Sequence, residues 1–269
     1  MIALVAADLR SRWRSIAALS GGCFVFLLVL SGTYSAFGGQ SGFAKAFGGG
    51  NGHTPKLLSA FSGSASADIY SPSHFLAFGF GHPLVLLLTI SVAVTMGVAA
   101  IATEVETGRA ELLFTAPVRR TRILDARIAA WAAAETVVLL SALAGALVGH
   151  TLSSDMHGVP LLVPVRDCVQ LASLLVFLAA VAFAASARAR TRGAAIGAAI
   201  GVAAGSYVLN LVALLWHPLA FVRRVTPFGY YSAADAADHV RWADAGVLAG
   251  AAVLLLLLAR HWLMQRDLA

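Results

Sequence analysis

The chain has 269 residues, of which 59% are hydrophobic and only 12% are charged, whereas soluble domains carry about 25% charged residues. A single water-soluble core cannot hide that much apolar surface, so a bilayer is the expected solvent. The net charge is +6, but the arginines flank apolar stretches rather than forming one basic surface, which excludes nucleic acid as a partner.

A crossing helix needs about twenty mostly apolar residues, at about 1.5 Å per residue through about 30 Å of hydrocarbon. Helices also bond their own backbone polar groups, as lipid requires. Residues 1–15 mix Ile2, Leu4, Val5, Leu9 and Trp13 with Asp8, Arg10, Arg12 and Arg14. They are expected to form an interfacial amphipathic segment or a plain basic flank. The first span is predicted over 16–37. It outruns the roughly 7–15 residues of a signal-peptide core, so it reads as a helix that is retained.

A long loop follows. Its early part, GGQSGFAKAFGGGNGHTP, is glycine-rich and expected to be irregular. Residues 56–80 are apolar enough to rest on the surface of a leaflet. The second span is predicted over 82–103, opened by Pro83 in its first turn. Further spans are predicted over 128–149, 168–187, 194–216 and 245–262, with Arg260 and His261 snorkelling from the last. Residues 16–269 therefore read as one all-α, six-helix integral membrane domain.

Six crossings put both ends of the chain on one side. That side carries Arg10, Arg12 and Arg14, then Arg109, Arg119, Arg120, Arg122 and Arg127, then Arg188, Arg190 and Arg192, then Arg260 and Arg266. The other side carries only Lys45, Lys56, Arg166, Arg223, Arg224 and Arg241. Positive charge marks the cytoplasm, so both termini are expected there. Cys23 and Cys168 fall in or beside apolar spans, which argues against a disulfide framework. No histidine pair has H-x-x-x-H spacing, and no metal site is expected.

The loop after the second span reads EVETGRAELLFTAPVRRTRILDAR. Glu104, Glu106 and Gly108 open it; Glu111, Leu112, Leu113 and Phe114 follow, and Pro117, Val118, Arg119, Arg120 and Arg122 close it. Gly108 and Pro117 bracket a short amphipathic helix of about two turns. A passive basic loop needs no carboxylates, whereas a helix with acids at one end and arginines beyond suits docking on a cytosolic protein.

These residues resemble the ABC-2 family of ABC transporter permeases. In that family the corresponding loop carries paired acids, a glycine, a Glu-Leu-Leu-like run, then Pro-Val and basic residues. The resemblance covers Glu104, Glu106, Gly108, Glu111, Leu112, Leu113, Pro117, Val118 and Arg120, and departs at Val105, which separates two acids that often adjoin. The turn ASARARTRGAA resembles the family's basic turn before the fifth helix. Pro227, Phe228 and Tyr230 in RRVTPFGYYSAAD resemble its PF.Y element in an outer re-entrant hairpin, and MQRDLA resembles its Arg-Asp ending. The resemblance implies a type V exporter-like permease with a cytoplasmic coupling helix, working with a second permease copy or homologue. Each permease would engage a cytosolic ABC ATPase through this loop. No G-x-x-x-x-G-K-[ST] loop occurs, so ATP and Mg are expected on that partner chain. Composition rich in alanine, glycine and arginine points to a GC-rich prokaryotic genome, and hence to a prokaryotic plasma membrane.

Three further features admit two roles each. Gly193, Gly197, Gly201 and Gly205 recur every four residues on the fifth span. They fit a permease–permease interface or internal helix packing. Glu135, about two turns inside the third span, fits a transport pathway or a structural contact. Asn210, with Ser206 and Tyr207, fits substrate contact or helix–helix hydrogen bonding. The reading that joins these features is an ATP-driven permease subunit with no covalent chemistry of its own. A secondary transporter or an ATPase-recruiting membrane scaffold is the alternative.

Overall fold

The computed structural model describes residues 2–47, 56–64, 68–108 and 120–265. Helix α1 runs Ile2–Ala36 without interruption. The boundary expected at residue 15 is therefore not a break in the helix. No glycine or proline occurs between Ile2 and Ser15, so nothing there opposes helix propagation.

The chain turns at Gly38 and Gly39, whose φ angles are +83° and +67°, a region that suits glycine. It then enters α2 (Gly39–Phe47). Residues 39–47 of the glycine-rich segment are thus helical where an irregular loop was expected, and residues 48–55 lie outside the described residues. The reason is aromatic: the Phe43 ring stands 4.8 Å from Phe75 and 6.1 Å from Tyr34, and the packing fixes a segment of weak propensity.

After the short α3 (Lys56–Phe61), the second crossing is built from α4 (Pro72–Gly81) and α5 (Pro83–Ala99). It therefore begins at Pro72, not at His82, and Pro83 marks the break because it supplies no backbone N–H. Residues 72–80 do not rest on a leaflet as expected. Phe75, Leu76 and Phe80 are buried inside the protein, as suits a helix that is apolar on every side.

Beyond α6 (Ala102–Glu106), the crossings are α7 (Arg120–Leu152), α8 (Leu162–Arg188), α9 (Arg192–Leu215) and α11 (Trp242–Gln265). A 3-10 turn at Ser154–Met156 joins α7 to α8. Between α9 and α11 lie 3-10 segments at His217–Arg224 and Pro227–Gly229, then α10 (Ala233–Asp238). This segment folds back against α4 and α8, but as 3-10 turns and one short helix rather than a hairpin of two α-helices. Among the described residues six helices are long and apolar enough to cross a membrane, and there is no strand.

Helices α1 and α7 run parallel and form the main seam. Small residues make it close: a Cβ at Gly145 would stand 2.3 Å from the Phe24 carbonyl oxygen, and one at Gly149 2.6 Å from Ser31 Cβ. Such contact replaces the hydrophobic drive that lipid does not provide. Helix α8 occupies the centre, packed against α5, α9, α10 and α11.

Candidate functional site

The ends of the crossings define two polar faces. One, the basic face, gathers the start of α1, the end of α5, the starts of α7 and α9, and the ends of α8 and α11. Here α5 stops at Ala99, and Ile101, at φ −134° and ψ −47°, breaks the helix before α6. A break frees backbone groups that must find partners. Ser186 of α8, fully buried, supplies them: its Oγ accepts from Ile101 N at 3.0 Å and Ala102 N at 2.9 Å, and donates to Val98 O at 2.7 Å.

Helix α6 carries Glu104 and Glu106. Two residues apart on a helix means about 200° around its axis, so the acids face different neighbours. Glu104 Oε1 accepts from Arg127 Nη2 at 3.0 Å. Arg127 Nη1 donates to Asp8 Oδ1 at 2.7 Å, and Arg12 Nε donates to the same oxygen at 3.1 Å. Asp8 is buried. The network thus ties α6 to α7 and α1 around a cavity of about 360 Å³. Glu106 Oε2 instead accepts from the backbone N of Arg192, the first residue of α9, at 2.6 Å.

Gly108 adopts φ +69° after α6, and among the described residues no atom lies within 4 Å of where its Cβ would stand. Arg120 opens α7. The sequence-predicted Glu111, Leu112, Leu113, Pro117 and Arg119 lie outside the described residues. Nearby, Arg260 pairs with Asp125, and the Arg188 guanidinium lies 5.4 Å from the Trp262 ring centre.

Gly193, Gly197, Gly201 and Gly205 are exposed along α9, and among the described residues no atom lies within 4 Å of where their Cβ would stand. Among the described residues these glycines thus make no close packing contact. The opposite side of α9 buries Ala195, Ala199 and Ala203. Glu135 is buried with Trp131 Nε1 donating to its Oε2 at 3.1 Å, while Oε1 has no partner among the described residues. Asn210 is buried, and its Oδ1 likewise lacks one. The sequence-predicted sites thus do not converge. Glu104, Glu106 and Gly108 share the basic face with Arg120 and with Gly193 at the start of α9, while Glu135, Asn210, Pro227, Phe228 and Tyr230 lie deeper in the bundle or at the opposite face.

On the opposite face Pro227 and Phe228 are buried, and Phe228 stacks edge-on against Tyr207 at 5.2 Å. Tyr230 is pinned at both ends. Its hydroxyl donates to Arg224 O at 2.6 Å, and Gln170 Nε2 donates to its carbonyl at 3.0 Å. Tyr231 donates to Phe80 O at 3.0 Å, and burial, with Asp167 adding to it, pushes its phenol well up from the ordinary range. Burial pushes the Arg223 guanidinium down, with the nearby charge of Arg241 adding to it; its Nη2 donates to Gly63 O at 3.3 Å.

Sequence reasoning missed Ser186, Gln170 and Asp167. The last is fully buried, and neither carboxyl oxygen has a partner among the described residues. It lay just outside the predicted fourth span; the one available signal was a charged residue adjoining an apolar run. An apolar groove of about 420 Å³ lies between α5 and α9, lined by Leu86, Ile90, Ala203, Tyr207 and Phe228 among others.

Six helices long and apolar enough to cross a membrane, with no strand among the described residues, fit a multi-pass membrane protein. The chain belongs to a multidrug efflux permease family: residues 6–261 match the family described as "Multidrug efflux system permease Rv1217c, C-terminal domain". Neither the search of curated proteins nor that of solved structures found a match.

Proposed function

We propose that this chain is the permease subunit of an ATP-driven exporter of the ABC-2, type V exporter-like kind. It works as a pair, and each copy engages a cytosolic ABC ATPase that holds ATP and Mg. The basic face lies in the cytoplasm of a prokaryotic cell, with both termini there. Glu104, Glu106, Gly108, Glu111, Leu112, Leu113, Pro117, Arg119 and Arg120 form the coupling element: the residues from Gly108 onward meet the ATPase, and Glu104 and Glu106, on α6, pass its motion to the crossings. The exposed glycines Gly193, Gly197, Gly201 and Gly205 face the second permease.

One observation carries this reading. A five-residue acidic helix at the mouth of the loop is bonded to α7 and α9, and through Arg127 of α7 to α1. A push on the loop therefore reaches three crossings, which is what a separate motor requires of its permease. The cargo class is apolar small molecules, consistent with the family's description. The groove between α5 and α9 is large enough for one.

The test is to purify the tagged permease in mild detergent and probe for a soluble Walker-motif ATPase, with Glu111→Arg in parallel. Co-purification with the native chain, lost or uncoupled in the variant, supports the reading. A folded permease that brings no ATPase overturns it. The second reading, a secondary transporter, draws on Glu135 and Asp167, buried acids with unpartnered oxygens. Drug movement in ATP-free vesicles under a pH gradient, abolished by Glu135→Gln, would establish that reading instead.

A further inference from the structure

We propose that Glu106 is a positioning residue that makes α9 move with the docking loop, so that the two acids of the loop drive different helices. This rests on the ATP-driven reading above. Glu104 pulls on α7 and α1 through Arg127. Glu106 pulls on α9 through its bond to Arg192 N. The residue between them, Val105, is what turns the two carboxylates to different sides.

Three features of the fold support the division. First, the contact is a charged acceptor on a helix N-terminus, where unsatisfied N–H groups and the helix dipole favour an anion. Thr191 already caps the next part of that turn by accepting from Ala194 N at 3.3 Å, so Glu106 takes a donor that the local sequence leaves over. Second, α6 has a built-in joint. At the break, the Ser186 hydroxyl accepts from Ile101 N and Ala102 N and donates to Val98 O, so α6 can tilt while the freed backbone groups keep their partner. Glu106 stands at the far end of that lever, about 6 Å along the axis from Ala102, so a tilt of about 20° carries it about 2 Å. Third, α9 offers little resistance. Its inner contacts with α5 and α8 are made largely by alanines packed on Val94, Val98 and Ala182, and its glycine face meets nothing within the described residues.

The backbone donor gives a clean test. Thr191, at φ −124° and ψ 150°, is already in the conformation that precedes proline, and proline is tolerated at the first helical position. Arg192→Pro therefore deletes the N–H and keeps the helix. The permease and its ATPase are reconstituted together in proteoliposomes, and substrate moved per ATP hydrolysed is measured. Glu106→Ala and Arg192→Pro should each lower that ratio about tenfold, while the ATPase still binds and turns over. Glu106→Gln, which keeps an acceptor oxygen, should stay within about threefold of the native ratio. Arg192→Ala keeps the N–H and should fall at least about threefold less than the proline variant. Elution profile and melting temperature close to native certify each fold.

A native ratio in Arg192→Pro overturns the inference. So does an equal loss in Arg192→Ala, which would make the side-chain charge responsible. Release of the ATPase by Glu106→Ala overturns it too, since Glu106 would then be a docking contact. If the native permease binds no ATPase, the ATP-driven reading itself fails, an outcome distinct from all of these.

Discussion

Adding one methyl group to either of two glycines should move stability in opposite directions. In an open helix, Gly→Ala gains up to about 1 kcal/mol, because alanine loses less backbone freedom. Gly197 is such a site, with nothing within 4 Å of the new Cβ among the described residues. At Gly145 the same atom would stand 2.3 Å from Phe24 O and 2.8 Å from Phe24 Cα. Comfortable contact needs about 3.5 Å, so the α1–α7 seam must open by about 1 Å. The obstruction is backbone, and no rotamer change relieves it. Overpacking costs about 1–3 kcal/mol. Because the obstruction is backbone, the upper part of that range, about 2–3 kcal/mol, applies; after a helical gain of about 1 kcal/mol Gly145→Ala should lose about 1–2 kcal/mol, whereas Gly197→Ala should gain up to about 1 kcal/mol. Thermal melting of the detergent-dispersed single chain, followed by tryptophan fluorescence, reads both. A Gly145→Ala protein that melts at or above the native temperature would refute the seam as described.

Arg127→Ala leaves the carboxylates of Asp8 and Glu104 without their shared donor. Because Arg127 keeps about a fifth of its side chain exposed, the loss should be about 2 kcal/mol rather than the value for a fully buried pair, and Asp8→Asn added to it should restore part of the melting temperature. Ser186→Ala removes a partner from two amides and one carbonyl in a dry joint, costing about 1–3 kcal/mol, and hydrogen exchange should rise at Ile101 and Ala102 first. Gln170→Leu cuts the bonds from α8 to Tyr230 O and from Arg241 N; limited proteolysis between Leu215 and Trp242 should quicken while the crossings stay protected. Gly201→Leu should lower the cross-linked pair fraction in membranes without lowering the melting temperature of the single chain.

The six crossings were legible because lipid imposes one requirement, about twenty apolar residues, that composition states directly. Their ends were less so. Helix α4 escaped notice because an apolar segment beside a span fits a leaflet surface as well as a buried half-helix, and only the rings of Phe43, Tyr34 and Phe75 decide between them. Helix α2 was hidden by glycines that locally favour a loop. The acids at Glu104 and Glu106 stood out as charges that a basic loop does not need, but their partners did not. Arg127, Asp8 and Arg192 come from three other helices, and no spacing within the chain announces such contacts. Ser186 was the hardest to find. A serine inside ASAR looks like any other helix serine until the break at Ile101 places two amides and a carbonyl beside it.

The two kinds of packing in this bundle suggest how labour is divided between its helices. The α1–α7 seam is closed by Gly145 and Gly149 in the half away from the basic face. At the basic face it is clamped by Asp8 and Arg127. At the opposite face Ser35 and Ser153 meet at 2.5 Å, and Ser153 donates to Ser31 O at 2.9 Å. Separating these helices breaks bonds at both ends at once, so they behave as one rigid piece. Among the described residues helix α9 has no comparable closure. It is held by small side chains on one face, by Glu106 at its first residue, and near its other end by the Tyr207–Phe228 contact. Elements with few buried contacts open at the least cost. The bond at Arg192 and the ring contact at Phe228 thus hold α9 at its two ends, and the groove between α5 and α9 lies along the wall that changes when it moves.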